Sequence, residues 1–395
     1  MAEQLKVFFS RALVERLAAD IALVHPAFPA RQFVDQAAAG LDRLELLDRG
    51  RHIARALELH LPPSYPDAIG VLIRSLGPEH ASDELLGAGM APFFYLPHVM
   101  FVAERGLDHF DLSMRAQHEL TRRFSAEFSI RAYIARDPER TFAVLQQWTG
   151  DPNPHVRRLV SEGTRLRLPW AMRVPWLDAN PERVLALLER LKDDPATLVR
   201  RSVANNLNDL GKLRPDLLVA TCAAWLQEAT PERRALIEHA LRSALKRGDR
   251  DALRLLGYRD QTSVSIEHVA IAPRRVKIGG RVRVVFQLTS TTKRPQDLVV
   301  DMAVHFVKAA GRTGRKVFKL ARVALPAGGR MTLEKTVSLA VHTTRLPRAG
   351  RHAVDVIVNG RTIPIGWFDV VSTSPSGRRE PHAARRDKRR GPSAR

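Results

Sequence analysis

VRRSVANNLNDLGK, residues 199–212, has a counterpart of the same frame 43 residues earlier in DPNPHVRRLVSEGTRLRLPW, residues 151–170. Asp151, Pro152, Val156, Arg157 and Arg158 fall in step with Asp194, Pro195, Val199, Arg200 and Arg201. The segments ahead of them match too, DPERTFAVLQQW at 137–148 against NPERVLALLERL at 180–191, and a third unit opens at Pro215. In each unit the proline that opens the first helix precedes the expected start of the second by 18 residues: Pro138 to Val156, Pro181 to Val199, Pro215 to Arg233. The pattern is that of an array of helical repeats.

A unit of 34 to 43 residues with two helices lies in the HEAT/armadillo range, where stacked helix pairs bury a continuous core and leave a concave face for binding. Nine extra residues separate the first two units, close to LRLPWAMRVPWL with Trp170 and Trp176. On the second helices, Arg158, Glu162 and Arg165 recur at i, i+4 and i+7, and Arg201, Asn205, Asn208 and Asp209 follow one repeat later. That spacing predicts two neighbouring stripes in which carboxylates stand among guanidinium and amide groups. The plainer reading is a set of solvated pairs, each contributing a few tenths of a kcal/mol.

At 395 residues the chain has room for two domains and a tail. Its net charge of +21 is unevenly spread. Residues 262–373 hold 19 Lys/Arg against 6 Asp/Glu and residues 374–395 hold 8 against 2, which leaves the first 261 nearly neutral. Within that part, residues 155–215 carry 12 basic and 7 acidic groups. Basic surface of this extent suggests a polyanionic partner, most simply nucleic acid, and acidic lipid fits the tail almost as well. The single cysteine, Cys222 in LLVATCAAWL, excludes an internal disulfide framework, suits a reducing cytosol and reads as a buried, inert thiol. The start MAEQLKVFFSRALVERLAADI is amphipathic and charged, unlike an export signal. An apolar run near 90–102 is short and broken by Pro92 and Pro97, so no membrane span is expected.

Residues 1–258 read as helices throughout, with loops at Pro26 and Pro29 and in HLPPSYPDAI at 60–69. Beyond Tyr258 alternating segments replace them: SVSIEHVAI, RVRVVFQLTS, DLVVDMAVHFV, KVFKLARVAL, RMTLEKTVSLAV, HAVDVIVNG and RTIPIGWFDVV. Asn359-Gly360 reads as a two-residue hairpin turn. Seven short strands over residues 262–373 without a second cysteine fit an immunoglobulin-like sandwich that lacks the inter-sheet disulfide. Residues 374–395, rich in Arg, Pro, Ser and Gly, are expected to be disordered. The expected organisation is an all-α HEAT-like solenoid at 1–258, an all-β basic sandwich at 262–373 and a basic tail at 374–395.

No GxxxxGK[ST] loop, HExxH, paired CxxC, GxSxG elbow or strand-anchored GxGxxG occurs, which argues against nucleotide-driven, zinc-dependent and serine-nucleophile machines. What remains is a site of carboxylates, amides, arginines and tryptophans on repeat helices. VRRSVANNLNDLGK, VRRLVSEGTRLRLPW and KVFFSRALVERLAADIALVHPAF (6–28) together resemble the DNA alkylation repair glycosylases built of HEAT-like repeats, in particular the AlkC branch, some of whose members carry an immunoglobulin-like domain. The likeness spans roughly residues 5–255. It implies Glu162 and Asp209 as catalytic carboxylates, Glu127 of AEFSIR as a further active-site acid and Trp170 as the active-site tryptophan. Arg158, Arg165, Arg201, Asn205 and Lys212 would hold DNA phosphates.

Plainer readings make Trp170 a loop residue capping the repeat core, Glu127 a first-turn or surface acid, and His155 and His239 solvated or packed histidines. The implied reaction is excision of cationic N3-alkylated bases, 3-methyladenine or 3-methylcytosine, from double-stranded DNA. It needs neither metal nor cofactor, proceeds with the lesion still stacked, and nothing signals more than a monomer. Two alternatives compete. A non-enzymatic HEAT-repeat scaffold for nucleic acid or protein leaves acids in a phosphate-binding groove unexplained, and an adhesion protein with a helical adaptor would need an export signal.

Overall fold

The structure is a computed structural model that describes residues 2–79, 91–259, 262–308, 311–341 and 346–371; the basic tail at 374–395 lies outside the described residues. The chain divides into two compact units, Met1–Leu256 and Gly257–Arg395. The first is helical from α1 (Ala2–Val7) to α16 (Arg250–Leu255), and the second carries strands β1 (Val264–Ala272) to β8 (Arg361–Val371).

Three helix pairs form the repeats: α9 (Pro138–Trp148) with α10 (Pro154–Gly163), α12 (Pro181–Leu191) with α13 (Thr197–Leu210), and α14 (Pro215–Leu226) with α15 (Pro231–Arg247). Each second helix starts two residues before the expected Val156, Val199 or Arg233. For α10 and α15 the reason is local. Pro154 and Pro231 occupy the first turn, where a missing N–H costs nothing, and Asn153 and Thr230 cap it, accepting from the backbone N–H of His155 (2.8 Å) and Arg233 (3.2 Å). The 18-residue spacing is thus a real repeat marker measured to a point inside the helix. In α12 the buried Val184, Leu187, Leu188 and Leu191 follow the 3,4 rhythm of one apolar face.

The second helices α10, α13 and α15 pack side by side in sequence order. Along α13 the buried set includes Ser202, Asn206, Asn208 and Asp209 beside Val199, Val203 and Leu207. A polar stripe is therefore built into the packed faces as well as the open one. Upstream, α7 (Phe110–Thr121) and α8 (Ile130–Arg136) are joined by a turn at residues 122–129 that holds Glu127. Gly163 lets α10 approach α8 closely, since a Cβ there would lie 2.6 Å from Ile130 Cγ2. The early turns are tighter than expected: α2 (Arg11–Val24) runs to Val24, α3 (Ala30–Ala38) starts at Ala30, and α5 (Tyr65–Arg74) begins inside the 60–69 turn cluster. Cys222 is fully buried, and burial pushes its thiol up to about 12. Among the described residues no helix is long and apolar enough to cross a membrane.

The second unit places β1, β3 (Arg281–Ser290) and β6 (Arg330–Ser338) in one sheet, ordered β1-β3-β6. The other is ordered β2-β8-β7-β4-β5, with β2 (Arg275–Lys277), β4 (Gln296–Val307), β5 (Thr313–Leu325) and β7 (Gly350–Val358). Alternate residues face the shared core: Val282, Val284, Phe286 and Leu288 on β3, Leu298, Val300, Met302 and Val304 on β4, and Val354, Val356 and Val358 on β7. The seven expected strands are present. The eighth, β2, is three residues long and pairs parallel with β8. Asn359 and Gly360 both take positive φ, 43° and 81°, and connect the paired Val358 and Arg361, the backbone a two-residue hairpin demands.

Candidate active site

Glu162 is the next-to-last residue of α10 and 5 % exposed. Its Oε1 accepts from Arg165 Nη1 at 2.6 Å and its Oε2 from Ser202 Oγ of α13 at 2.6 Å. Arg158, one turn earlier, reaches the same Oε2 at 3.8 Å and donates to Glu127 Oε2 at 3.4 Å. The Arg165 guanidinium continues across to α13, where its Nε donates to Asp209 Oδ2 at 2.9 Å. Lys212 closes the row by donating to Asp209 Oδ1 at 2.7 Å. Glu127, Arg158, Glu162, Arg165, Asp209 and Lys212 thereby form one ladder of alternating charge. Three anions match three cations, so the row is neutral overall.

Arg165 does not reach Glu162 as an i+3 neighbour on the same helix. α10 ends at Gly163, Thr164 Oγ1 folds back onto the Val160 carbonyl (2.8 Å), and Arg165 stands in the turn beyond. From there its side chain bridges two repeats. Burial drives Glu162 toward the neutral acid, but Arg158, Arg165 and the Ser202 hydroxyl together outweigh it and hold the carboxyl below its ordinary value. Glu127 goes the other way, raised because desolvation and the nearby Glu162 exceed the pull of Arg158. Burial also works against the Arg165 charge, yet Glu162 and Asp209 hold its pKa above the usual arginine value.

A cavity of about 380 Å³ opens over one end of the ladder, lined by Phe93, Phe124, Glu127, Glu162, Arg165 and Trp170 among others. Trp170 stands at its rim with φ +63° and 57 % of its surface exposed, so it does not cap the repeat core. Left-handed backbone at a bulky residue is uncommon and needs support from its surroundings. Support comes from Arg131 of α8. Its buried guanidinium donates to the Gly163 and Arg165 carbonyls, both at 2.8 Å from Nη1, and to the Met172 carbonyl at 2.8 Å from Nε. One cation thus caps the orphan carbonyls at the end of α10 and ties down both sides of the loop at 164–174. Burial lowers Arg131 to about 10, which leaves it charged at neutral pH.

Arg201 is exposed and apart from the ladder, and Asn205 accepts from Arg242 (2.9 Å) on α15. His155 is buried, and His239 lies 3.2 Å from Asn205 Oδ1. The structure gathers Glu127, Glu162, Asp209, Arg158, Arg165 and Lys212 together, sets Trp170 on the cavity at the Glu127–Glu162 end, and leaves Arg201 and Asn205 one step along the array. Among the described residues no group of His, Cys, Asp and Glu could hold a metal ion.

The fold has a solved counterpart, the alkylpurine DNA glycosylase AlkC of Pseudomonas fluorescens bound to DNA containing an abasic site analog. It is 36 % identical and superposes with a TM-score of 0.86 over 93 % of this chain and 99 % of that one. The chain belongs to the AlkC family. An uncharacterised protein of Bacillus subtilis, YhaZ, is 33 % identical over 357 residues, 90 % of this chain and 96 % of its own length. Residues 265–372 match the family described as the C-terminal Ig-like domain of YhaZ.

Three residues of this AlkC-family site escape sequence reasoning. Ser202 passes for an ordinary helix residue in RRSVA, yet it holds Glu162. Asn206, fully buried, donates to the Ser161 carbonyl (2.8 Å) and Thr164 Oγ1 (3.2 Å), fastening α13 to α10 behind the ladder. The available signal was the length of the polar string NNLND, which exceeds what one solvent-facing stripe can take up. Arg131 has no such signal, because its partners are backbone carbonyls.

Proposed function

We propose that the chain is a DNA glycosylase that excises cationic N3-alkylated bases, 3-methyladenine and 3-methylcytosine, from double-stranded DNA. The observation that carries this reading is a set of acids, Glu127, Glu162 and Asp209, held at fixed positions by cations beside an exposed Trp170. A scaffold for phosphate binding has no use for carboxylates that consume its arginines.

The chemistry suits groups of this kind. Alkylation at N3 leaves the base positively charged, so when the glycosidic bond breaks its electrons return to the base and neutralise it. No acid has to protonate the leaving group. Positive charge develops on the deoxyribose C1′, where preorganised carboxylates stabilise it. Water then adds to C1′ and gives its proton to a carboxylate oxygen. Glu162 and Asp209 each accept two short bonds, and a carboxylate offers about four lone-pair positions. Both therefore keep a lone pair that could accept from that water. The electron-rich face of Trp170 adds a cation–π contact to the sugar.

In the preferred reading the lesion stays stacked and the repeat face approaches the sugar, consistent with a tryptophan that projects outward. Extrusion of the base is a second reading, favoured by the Phe93, Phe124 and Phe128 side chains on the cavity wall. A 2-aminopurine placed opposite or beside the lesion separates them, since extrusion unstacks it and raises its fluorescence. The basic sandwich, +13 over residues 262–373, would add phosphate contacts that carry no sequence information. The deciding experiment is to incubate the protein with duplex DNA treated with a methylating agent and identify freed bases by mass spectrometry beside Glu162→Gln. Release of N3-methylated bases that the variant loses supports the enzyme. Tight binding without release by the wild type returns the scaffold.

A further inference from the structure

The helices α7 and α9 line a groove of about 570 Å³ that shares no residue with the cavity over the acid ladder. Leu112, Arg115 and His118 stand on α7, Val144 and Trp148 on α9, and Ile73 of α5 beside them. Contacts cross between the two helices at either end. At their starts, Arg140 of α9 donates to both oxygens of Asp111 at 2.8 Å, with its guanidinium 4.1 Å from the centre of the Phe110 ring. At their ends, His118 Nε2 lies 2.7 Å from Asp151 Oδ2, and the His118 ring packs 5.7 Å from that of Trp148. Between these ties the helices leave Ile73, Leu112, Val144 and Trp148 half-buried.

The charge in the groove is uncompensated. Arg115 is exposed and makes no hydrogen bond or ion pair among the described residues. An acid four residues away on the same helix is its natural partner, and α7 has one on each side, yet both are occupied. Arg140 takes Asp111, while Arg122 (3.1 Å) and Arg123 (2.9 Å) take Glu119. Asp151 is held by His118 and by the Asn153 backbone N–H. The Trp148 indole N–H also has no hydrogen-bond partner among the described residues. An open cation and an open N–H donor thus stand beside an apolar lining, and Arg and Trp are the residue types that most often carry the energy of protein interfaces.

We propose that this groove docks an acidic amphipathic helix of a partner protein, with its apolar residues on Ile73, Leu112, Val144 and Trp148 and a carboxylate on Arg115. Leu112, Arg115 and Glu119 follow the 3,4 spacing over about two turns of α7, roughly 10 Å, and Val144 and Trp148 lie one turn apart on α9. Two such ridges form a trough that a third helix fills with residues at i, i+3 and i+4. The acid is demanded by the open groups, since a guanidinium and an indole N–H only donate. The chain's own tail has the wrong sign, with 8 Lys/Arg against 2 Asp/Glu over residues 374–395. Nucleic acid has the right sign but leaves the apolar lining uncovered.

The test is to pan a phage-displayed library of peptides about 15 residues long, enough to be helical in isolation, against the full chain, discarding those that also bind Val144→Arg. The enriched peptides are expected to carry apolar residues at i, i+3 or i+4 and i+7 with Asp or Glu among them. Made with a fluorescein label and followed by anisotropy, they should bind Arg115→Glu roughly 10- to 100-fold more weakly, the contribution of one charge-assisted hydrogen bond. Both variants should keep the wild-type circular dichroism and melting transition. If Val144→Arg does not fold, Arg115→Glu carries the test alone, because it alters an exposed side chain without partners. No peptide that tells wild type from the variants, or enrichment of basic peptides, overturns the proposal. Displacement of the peptide by undamaged duplex assigns the groove to nucleic acid, and a concentration-dependent dimer that Val144→Arg abolishes assigns it to a second copy; either overturns the partner helix. None of these outcomes bears on base release, so the groove and the glycosylase reading stand or fall separately.

Discussion

Replacing Asp209 by Asn keeps the shape of the site and removes one charge, and the surroundings allow its effects to be worked out. Asp209 is 1 % exposed and accepts from Arg165 Nε and Lys212 Nζ. The amide oxygen of Asn can still accept from Arg165, which also keeps Glu162. The amide nitrogen would then face Lys212, a second donor, and that side chain is 44 % exposed and free to swing into water. The folding cost is therefore that of one charge-assisted bond, about 1.5–3 kcal/mol, or roughly 2–4 °C per kcal/mol in melting temperature for a unit of this size. The loss in the reaction is larger. A full charge about 4 Å from a developing sugar cation, at an effective dielectric of about 20, interacts by about 4 kcal/mol, close to the roughly 3–4 kcal/mol measured when one preorganised group is removed. Base release should fall by on the order of 100- to 1,000-fold. The assay is single turnover with protein in excess on methylated duplex, with binding to abasic-site DNA measured in parallel. Binding should hold or tighten, because the substitution uncovers Lys212. A release rate within about threefold of wild type, or a loss of binding equal to the loss of rate, would refute the argument.

Arg131→Met should cost about 3 kcal/mol, since three buried carbonyls lose charge-assisted donors, and trypsin should cut faster after Arg167 or Arg173; unchanged cleavage would detach Arg131 from the loop. In that background Trp170→Ala should reduce base release far less than it does in the wild type, as the tryptophan is no longer held in place. As pH falls, Glu127, raised above the ordinary carboxyl range, takes up a proton before Glu162, which is held below it. The acid limb of the rate profile should therefore lie above the usual glutamate pKa and disappear in Glu127→Gln; a limb that persists unmoved assigns it to another group. Removing residues 262–395 should weaken DNA binding and flatten its salt dependence, and equal binding at several salt concentrations would deny the sandwich that role.

The repeats could be read because their boundaries are marked chemically. Asn153-Pro154 and Thr230-Pro231 are cap-and-proline pairs, and the matching Arg pairs lie one turn inside the helices they open. The sandwich could be read because period-two alternation survives along each long strand, whereas Arg275-Val276-Lys277 is too short to show a period. Glu162 and Asp209 stood out as acids in an arginine-rich frame. Their partners were harder. In the sequence Arg165 continues a helical stripe, but Gly163 and the Thr164 hydroxyl end the helix before it. Arg131 sits in the short segment IRAYIAR like any surface arginine, and its partners are carbonyls 32 to 41 residues away, which have no side-chain identity to recognise. Arg242 is one of several arginines in ERRALIEHALRSALKR, and only the packing of α15 on α13 separates it from the rest.

The latch made by Arg131 has a consequence for how such an array changes over time. Neighbouring helix pairs in a solenoid are close to interchangeable, so units can be gained or lost at either end with little harm. A loop fastened from the preceding helix pair cannot migrate in that way: its anchor on α8, its span after α10 and the acid it serves on α13 must be inherited together. The segment from Glu127 to Lys212 is therefore the indivisible part of an otherwise modular scaffold. It is the smallest piece to transplant when building the same site into another repeat protein.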